Sequence, residues 1–285
     1  MQTLRHDYVH VNGIRLHYVT AGQGPLLVLL HGFPEFWYAW RHQITALAED
    51  FTVVVPDQRG YGASDRPNWG YEVDVLVADL LGLIEALGHT NALLVGHDWG
   101  GAVAWAAAIA YPHRFTRLVI MNAPHPVVFG RHLRHNPVQQ RRSWYMGFFL
   151  LPWLPELALS AADYTGLERL FRATARPGTF SEADLDAYKD AMSQTGALTA
   201  ALNWYRSAGR AGARGLLSGR ERQCRVPTLV IWGERDVALG AEMLDDLDEF
   251  VDDLQIVRIP EAGHWVQHEA PDEVTAALKA FLRQT

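Results

Sequence analysis

The amino-acid sequence predicts an α/β fold with a mostly parallel sheet and an inserted block of helices. Short apolar runs recur with helical segments between them, and none alternates as a half-exposed strand would. These runs are residues 26–30, 53–55, 92–95, 118–120 and 228–232. Strands buried on both faces by flanking helices have this composition, and such strands usually form parallel sheets. From about Pro124 to Cys224 the strand-like runs stop, which indicates the inserted block.

The first element predicted along the chain is an antiparallel hairpin. Residues 8–11 and 16–20 alternate around Asn12-Gly13, a typical hairpin turn. Two helices are predicted between the strands that follow, because apolar residues recur at helical spacing. These residues are Trp40, Ile44 and Leu47 in the first helix, and Val77, Leu80, Leu81 and Ile84 in the second.

The inserted block is rich in aromatic residues at helical spacing and is interrupted by prolines. It lies between two predicted strands, so we expect it to cover the carboxyl edge of the sheet. The predicted organisation is a first core segment over residues 1–124, a cap over residues 125–224 and a second core segment over residues 225–285. A last strand is predicted over residues 254–259, preceded by an acidic stretch over 242–253. That stretch has Leu244, Leu247, Val251 and Leu254 at helical spacing and predicts a surface helix, not a calcium loop.

The net charge of −7 argues against a general nucleic-acid binder. Residues 131–225 hold 13 arginines and one lysine against eight acidic residues, a net charge of +6 that leaves −13 for the rest. Within this segment Arg131, Arg134, Arg141 and Arg142 could form an anion site. A solvated helical face that pairs with an acidic part of the chain is the favoured interpretation.

Several features predict a cytoplasmic protein. The single cysteine, Cys224, excludes an intramolecular disulfide and is typical of a reducing compartment. The N-terminal residues show no signal-peptide pattern, and no apolar run approaches the roughly 20 residues that cross a bilayer. We therefore expect no membrane partner, and either a monomer or a homodimer.

The most informative motif is Gly96-His97-Asp98-Trp99-Gly100-Gly101, which follows an apolar run and precedes an alanine-rich stretch. Glycines at these positions permit the sharp strand-to-helix turn called a nucleophile elbow, whose tip usually holds a serine. Here the tip is Asp98. A carboxylate is suited to displace a leaving group from an sp3 carbon and so form an ester on the enzyme. The motif predicts a substrate such as an epoxide or an alkyl halide.

Hydrolysis of such an ester requires a base for water and a group that orients this base. His264 follows the last predicted strand, and Asp236 follows the preceding one, with Glu234 as the lesser alternative. The order nucleophile, acid, histidine is the one expected for an α/β-hydrolase. Upstream, a turn at His31-Gly32-Phe33-Pro34-Glu35 can aim the N–H of Phe33 toward Asp98. With the N–H of Trp99 it would form an oxyanion hole.

Four segments together resemble the soluble epoxide hydrolases of the α/β-hydrolase superfamily: residues 31–35, 57–64, 96–101 and 263–265. The resemblance covers nearly the whole chain. It implies the α/β-hydrolase fold, with a mostly parallel eight-stranded sheet flanked by helices and an inserted helical cap. It also implies two cap tyrosines that protonate the epoxide oxygen, and a role in detoxification. Residues 203–206 and 143–149 match the two tyrosine segments, which assigns these roles to Tyr205 and Tyr145.

The resemblance leaves a second enzyme class open. Haloalkane dehalogenases also use an aspartate nucleophile, but one group of them has an asparagine where this chain has Phe33 and an acid where it has Asn122. Fluoroacetate dehalogenases carry an arginine at the position of Trp99. A receptor that uses a hydrolase fold without catalysis is a further alternative, which the complete set of side chains disfavours.

The favoured hypothesis is hydrolysis of an epoxide to a vicinal diol without a metal or organic cofactor. The substrate would be a small uncharged epoxide, because the predicted pocket is apolar. Its predicted lining is Phe33, Pro34, Trp99, Phe148, Phe149 and Trp153.

Overall fold

The computed structural model describes residues 4–211 and 222–284. Within these residues the strands are β1 (Arg5–Val11), β2 (Ile14–Ala21), β3 (Leu26–Leu30), β4 (Thr52–Pro56), β5 (Ala92–His97), β6 (Phe115–Met121), β7 (Thr228–Gly233) and β8 (Leu254–Ile259). The helices of the core are α1 (Arg41–Leu47), α2 (Val73–Ala86), α3 (Trp99–Ala110), α10 (Val266–Glu269) and α11 (Pro271–Leu282). The helices between β6 and β7 are α4 (Pro126–His135), α5 (Pro137–Arg142), α6 (Trp144–Phe149), α7 (Leu154–Thr174), α8 (Glu182–Ser193) and α9 (Ala197–Ala211).

The eight strands form one sheet in the order β1-β2-β4-β3-β5-β6-β7-β8. The β1–β2 and β2–β4 pairs are antiparallel, and all the others are parallel. The predicted mostly parallel eight-stranded sheet is confirmed, and so is the hairpin at its antiparallel edge.

Each face of the sheet packs against its own hydrophobic core. In β3, Val28 and Leu30 join a core with residues of α2 and α3, whereas Leu27 and Leu29 join a second core with residues of α1 and α11. Both sets are almost fully buried. Successive side chains of a strand point to opposite faces, so a strand covered on both sides must be apolar throughout. This explains the uninterrupted apolar runs of the sequence.

Helices α4 to α9, which we call the cap, lie between β6 and β7 in the chain and contact the loops at the carboxyl ends of the strands. The indole N–H of Trp204, on α9, donates to the carbonyl oxygen of Arg59 in the loop after β4 (3.0 Å), and both residues are buried. Helix α7 is broken at residues 161–164, where the backbone angles are not helical. The predicted boundaries of the cap at 125 and 224 stay a prediction, and residues 212–221 of this range lie outside the described residues.

The surface helix predicted over residues 242–253 is wrong. The chain there forms two 3₁₀ turns, Ala241–Leu244 and Leu247–Glu249, and then a parallel bridge between Val251 and Cys224. Cys224 donates its N–H to the carbonyl oxygen of Phe250 (2.8 Å), which holds this segment in an extended path. The apolar spacing nevertheless indicated correctly that one side of this segment is buried, since Leu244, Leu247 and Val251 are buried.

Candidate active site

Asp98 stands at the turn between β5 and α3 with backbone angles of φ 50° and ψ −120°. The turn requires glycine at positions 96 and 100, because a side chain at either position would collide with the backbone. A Cβ atom on Gly96 would lie 2.4 Å from the carbonyl oxygen of Gly100, and one on Gly100 would lie 2.4 Å from that of Leu30. The elbow expected from the motif is therefore present, and it places the Asp98 side chain at the carboxyl end of β5.

Loops after β7 and β8 bring Asp236 and His264 to Asp98. Nδ1 of His264 lies 2.8 Å from Oδ2 of Asp236, and Nε2 lies 3.7 Å from Oδ2 of Asp98. Since a carboxylate can only accept, Nδ1–H is the donor to Asp236. In the neutral ring Nε2 then carries the lone pair, directed toward Asp98. The alternative acid Glu234 instead forms a surface ion pair with Arg258 (3.1 Å).

The Asp236 carboxylate has three further donors. The backbone N–H groups of Ala238 and Leu239 donate to its Oδ1 (2.8 and 2.9 Å), and the side-chain amide of Asn122 donates to its Oδ2 (2.8 Å). Asn122 also bonds both backbone groups of Gly233, which ties the ends of β6 and β7 together. Our sequence reasoning did not assign Asn122 to the site. Its position after β6, at the edge where the other site residues lie, was the available signal.

These charges shift the pKa of His264. Burial lowers the pKa of this imidazole, but the charge of Asp236 and its hydrogen bond outweigh burial, with Asp98 and Glu35 acting in the same direction. The net effect raises the pKa of His264 to about 9. Burial also raises the pKa of Asp236, but the charge and hydrogen bond of His264 outweigh it and leave the pKa below its ordinary value.

A fully buried carboxylate, Glu35, is linked to the backbone of His264 through the side chain of His97. His97 donates through Nε2 to the carbonyl oxygen of His264 (2.8 Å), and its Nδ1 lies 3.1 Å from Oε2 of Glu35. Nε2 of His268 and the hydroxyl of Tyr188, a cap residue, bond to Oε1 of the same carboxylate (2.8 and 3.1 Å). Burial raises the pKa of Glu35, but the hydrogen bonds of the two histidines outweigh it and hold the pKa well below its usual range.

The turn after β3 supplies a donor to Asp98. The N–H of Phe33 donates to Oδ1 of Asp98 (2.8 Å), and the Phe33–Pro34 peptide bond is cis. Gly32 is required here, since a Cβ atom would lie 2.4 Å from Cβ of Asp98. Trp99 begins α3, so its N–H belongs to the first turn and has no acceptor within the helix. The N–H of Phe33 therefore contacts the carboxylate, and the N–H of Trp99 at the start of α3 stays a predicted second oxyanion donor.

Tyr145 on α6 and Tyr205 on α9 line the same cavity as Asp98 and His264. Their ring centroids are 6.2 Å apart, and Tyr205 packs edge-to-face on Trp99 at 5.0 Å and on Phe33 at 5.2 Å. Burial, followed by the charge of Asp98, raises the pKa of both phenols above the usual value. Both are consequently protonated near neutral pH and can donate hydrogen bonds into the cavity.

The cavity has a volume of about 610 Å³, within the usual range for small-molecule sites. Its lining includes Phe33, Phe148 and Phe149, whose part in substrate binding stays a prediction. A smaller cavity of about 70 Å³ adjoins it at Asp98, Tyr145 and Tyr205, and Trp99 lines this second space.

Two predicted lining residues are wrong. Trp153 is 69% exposed and lines a separate surface cleft with Leu150 and Arg206. It precedes α7, and the start of that helix turns its side chain to the outside of the cap. Pro34 is buried and lines neither cavity.

Among residues 4–211 and 222–284, no group of three or more histidine, cysteine, aspartate or glutamate side chains could hold a metal ion. In the same residues no helix has the length and apolarity to cross a membrane.

The fold and the site together define a hydrolase with an aspartate at the nucleophile elbow. The family model for the alpha/beta hydrolase fold matches residues 25–271. The chain is 39% identical to the AB hydrolase superfamily protein YfhM of Bacillus subtilis, over 99% of each chain. It is 38% identical to human epoxide hydrolase 4, over 98% of this chain and 79% of the relative. The crystal structure of Bacillus megaterium epoxide hydrolase in complex with an inhibitor superposes with a TM-score of 0.91 at 36% identity, over 98% of this chain and 100% of the other. The chain belongs to the α/β-hydrolase family, in its epoxide hydrolase group.

Proposed function

We propose that this enzyme converts an epoxide and water to a vicinal diol through an ester on Asp98. The observation that carries the proposal is the common cavity of four groups: Asp98, His264 and the phenols of Tyr145 and Tyr205. A nucleophile, a base and two proton donors around one apolar space supply what epoxide hydrolysis needs. The similarity to human epoxide hydrolase 4 and to the Bacillus megaterium epoxide hydrolase supports the same substrate class.

In the first step Oδ2 of Asp98 attacks a ring carbon, and the bond between this carbon and the epoxide oxygen breaks. Oδ1 is held by the N–H of Phe33, so Oδ2 is the oxygen left to react. The departing oxygen takes a proton from one phenol and a hydrogen bond from the other. Donors preorganised where charge develops lower the barrier of such a step.

In the second step His264 takes a proton from water, and the hydroxide attacks the ester carbon of Asp98. Asp236 holds the ring in the required tautomer and stabilises the imidazolium that forms. The N–H groups of Phe33 and Trp99 stabilise the tetrahedral oxyanion. Collapse breaks the bond between the carboxyl carbon and Oδ2, and the departing alkoxide takes the remaining proton of the attacking hydroxide. The diol leaves with Oδ2, the water oxygen stays on the Asp98 carboxylate, and the proton on His264 returns to the phenolate through solvent.

The lining of the cavity also limits the kind of substrate that can bind. Its walls are mainly aromatic and aliphatic, so the part of the substrate inside it is apolar and uncharged. The mechanism uses only protein side chains and water, and so requires no metal or organic cofactor. The cap boundaries at 125 and 224, the cytoplasmic location, the detoxifying role and the choice between monomer and homodimer stay predictions.

A single turnover in ¹⁸O-labelled water tests the covalent route. With enzyme in excess over styrene oxide, we expect the label in the peptide that contains Asp98, found by mass spectrometry after digestion. The Asp98→Asn variant, treated in the same way, is the control. A label confined to the diol would reject the ester and favour direct attack by water.

A parallel assay of styrene oxide and 1-bromobutane separates the alternative functions. Diol formation that exceeds bromide release supports the epoxide hydrolase, and the reverse would identify a haloalkane dehalogenase. Turnover of neither compound, nor of a wider panel of terminal, internal and aryl oxiranes, would favour the non-catalytic receptor.

A further inference from the structure

The four arginines that the sequence singled out have different partners. Arg131 pairs with Asp246 (2.6 Å) and Glu249 (2.9 Å), and Arg142 pairs with Glu242 (3.5 Å). These three acids belong to the acidic stretch after β7, so the predicted pairing of a basic face with an acidic segment is confirmed for two arginines. Arg134 and Arg141 form no ion pair with any acid of the described chain.

Arg141 differs from Arg134 in its position. Arg141, on α5, is exposed and lines the main cavity, whereas Arg134, on α4, is exposed and lines neither active-site cavity. Trp144 and Val237 also line the main cavity and are 67% and 52% exposed. Residues that are both exposed and cavity-lining mark the rim, so Arg141 lies where the cavity opens to solvent.

The charges along this cavity are unevenly placed. Asp98 and His264 lie at the buried end, and Arg141 and Arg142 are the other charged side chains among the described lining residues. Glu242 compensates Arg142, but nothing on the described rim compensates Arg141. The mainly apolar lining therefore includes Asp98 in its interior and, at the exposed rim, a guanidinium that has no ion pair within the described residues.

We propose that Arg141 selects epoxides that carry an anionic group, such as a carboxylate, at the end remote from the ring. The inference rests on the proposed epoxide hydrolase activity and names its substrate class. The ring would lie at Asp98, the apolar body along the aromatic wall, and the carboxylate at the rim against Arg141. A guanidinium presents paired N–H donors that match the two oxygens of a carboxylate.

The expected size of the effect follows from the exposure of the rim. A solvated ion pair changes an affinity by about two- to fivefold, and salt weakens it. We expect Arg141 to act mainly on KM, because the carboxylate stays remote from the reacting atoms throughout the reaction.

The test compares two substrates that differ only at the remote end: epoxyundecanoate with a terminal oxirane, and the corresponding primary amide. The readout is the ratio of their kcat/KM values, determined by diol formation below the concentration at which the acid forms micelles. We expect the wild-type ratio to favour the acid by about two- to fivefold, and this preference to shrink as ionic strength rises.

Two variants assign the preference to Arg141. Arg141→Gln should bring the ratio close to one, and Arg141→Lys should keep part of the preference because it keeps the charge. Arg134→Gln is the matched control, since it removes an unpaired exposed arginine that lies outside both active-site cavities, and it should keep the wild-type ratio.

The outcomes separate the two proposals. A ratio near one in the wild type, or an equal ratio in the wild type and Arg141→Gln, overturns the anion selection while leaving the epoxide hydrolase in place. A preference that Arg134→Gln abolishes equally would also overturn it, because the effect would then be one of overall charge. Absence of diol from both substrates and from styrene oxide would instead contradict the proposed function.

Discussion

Asp98 offers its two carboxylate oxygens to different partners: Oδ1 accepts the N–H of Phe33 at 2.8 Å, and Oδ2 lies 3.7 Å from Nε2 of His264. The second distance is too long for a hydrogen bond. Oδ2 is therefore the less restrained oxygen, and the carboxyl carbon lies between an oxyanion donor and a base. This geometry suits a reaction in which one oxygen is alkylated and the carbon is attacked afterwards.

Removal of the base should trap the ester. In His264→Gln we expect Asp98 to react once with an epoxide, while steady-state diol formation falls on the order of 10²- to 10⁴-fold. Intact-protein mass spectrometry after an acid quench should find one substrate mass added. The double variant with Asp98→Asn should show no added mass. If His264→Gln formed diol slowly without any adduct, this result would contradict the assignment of His264 to the second step.

Loss of the Asp98 charge should lower the pKa of His264. In the wild type this pKa is about 9, and Asp98 is one of the charges that raise it. Alkylation of Asp98 removes the same charge, so the base becomes easier to deprotonate once the ester has formed. Asp98→Asn mimics this loss, and we expect an NMR titration of the His264 ring to give a lower pKa than in the wild type. An unchanged or higher value would refute the coupling.

The same shift predicts how stability depends on pH. The pKa of His264 in the folded protein exceeds its ordinary value of 6.5, so the ionised ring stabilises the fold fully below pH 6.5. This contribution is lost as the pH rises through about 9. Denaturant unfolding of His264→Gln and wild type should therefore differ more at pH 6 than at pH 10. A difference independent of pH would mean that the ring contributes only by packing.

The two cap tyrosines should act on the first step alone. Tyr145→Phe and Tyr205→Phe should each slow alkylation by about 10²- to 10³-fold, the usual cost of removing one donor to a developing oxyanion. Hydrolysis of the preformed ester should change little, and single-turnover kinetics resolves the two rates. Tyr111→Phe, on the exposed surface, is the control. Equal loss in both steps would show that the phenols act through packing of the cap.

Asn122 should prove to be a positioning residue. Asn122→Ala removes a donor from the buried Asp236 carboxylate, and loss of a hydrogen bond to a charged group should slow ester hydrolysis by about 10- to 100-fold. Asn122→Asp should slow ester hydrolysis further, because its carboxylate would then lie against that of Asp236. Ester hydrolysis is measured as the decay of the adduct in single turnover. Wild-type decay in Asn122→Ala would rule out the role.

Gly32 should tolerate no side chain. In Gly32→Ala the new methyl group would lie 2.4 Å from Cβ of Asp98, and overpacking of this kind costs about 1–3 kcal/mol. We expect a lower Tm and a loss of alkylation. Gly147→Ala is the matched control, because nothing lies within 4 Å of its added Cβ, and the Tm should stay the same or rise. A Gly32→Ala variant with the wild-type Tm would contradict the close approach.

Local patterns were sufficient to predict the strands, the elbow at Asp98 and the order of Asp236 and His264. Burial and turn geometry restrict which residue types can be neighbours in the sequence, so these features are visible locally. The tyrosines followed from the resemblance and not from their surroundings. The sequence missed Asn122 and the Glu35 cluster, since their partners lie far away in the chain. It misplaced Trp153, because a helical segment can turn an aromatic side chain inward or outward with the same composition.

By itself, the sequence determined the fold class, the presence of an aspartate at the tip of the elbow and the chemistry that a carboxylate there can perform. These depend on the order of apolar runs and on glycines that no other residue can replace. The tertiary structure alone decided which oxygen of Asp98 is free, which acid holds His264 and which arginine remains without a partner at the cavity rim. Such features depend on distances between segments that only packing brings together, and charges interact according to those distances.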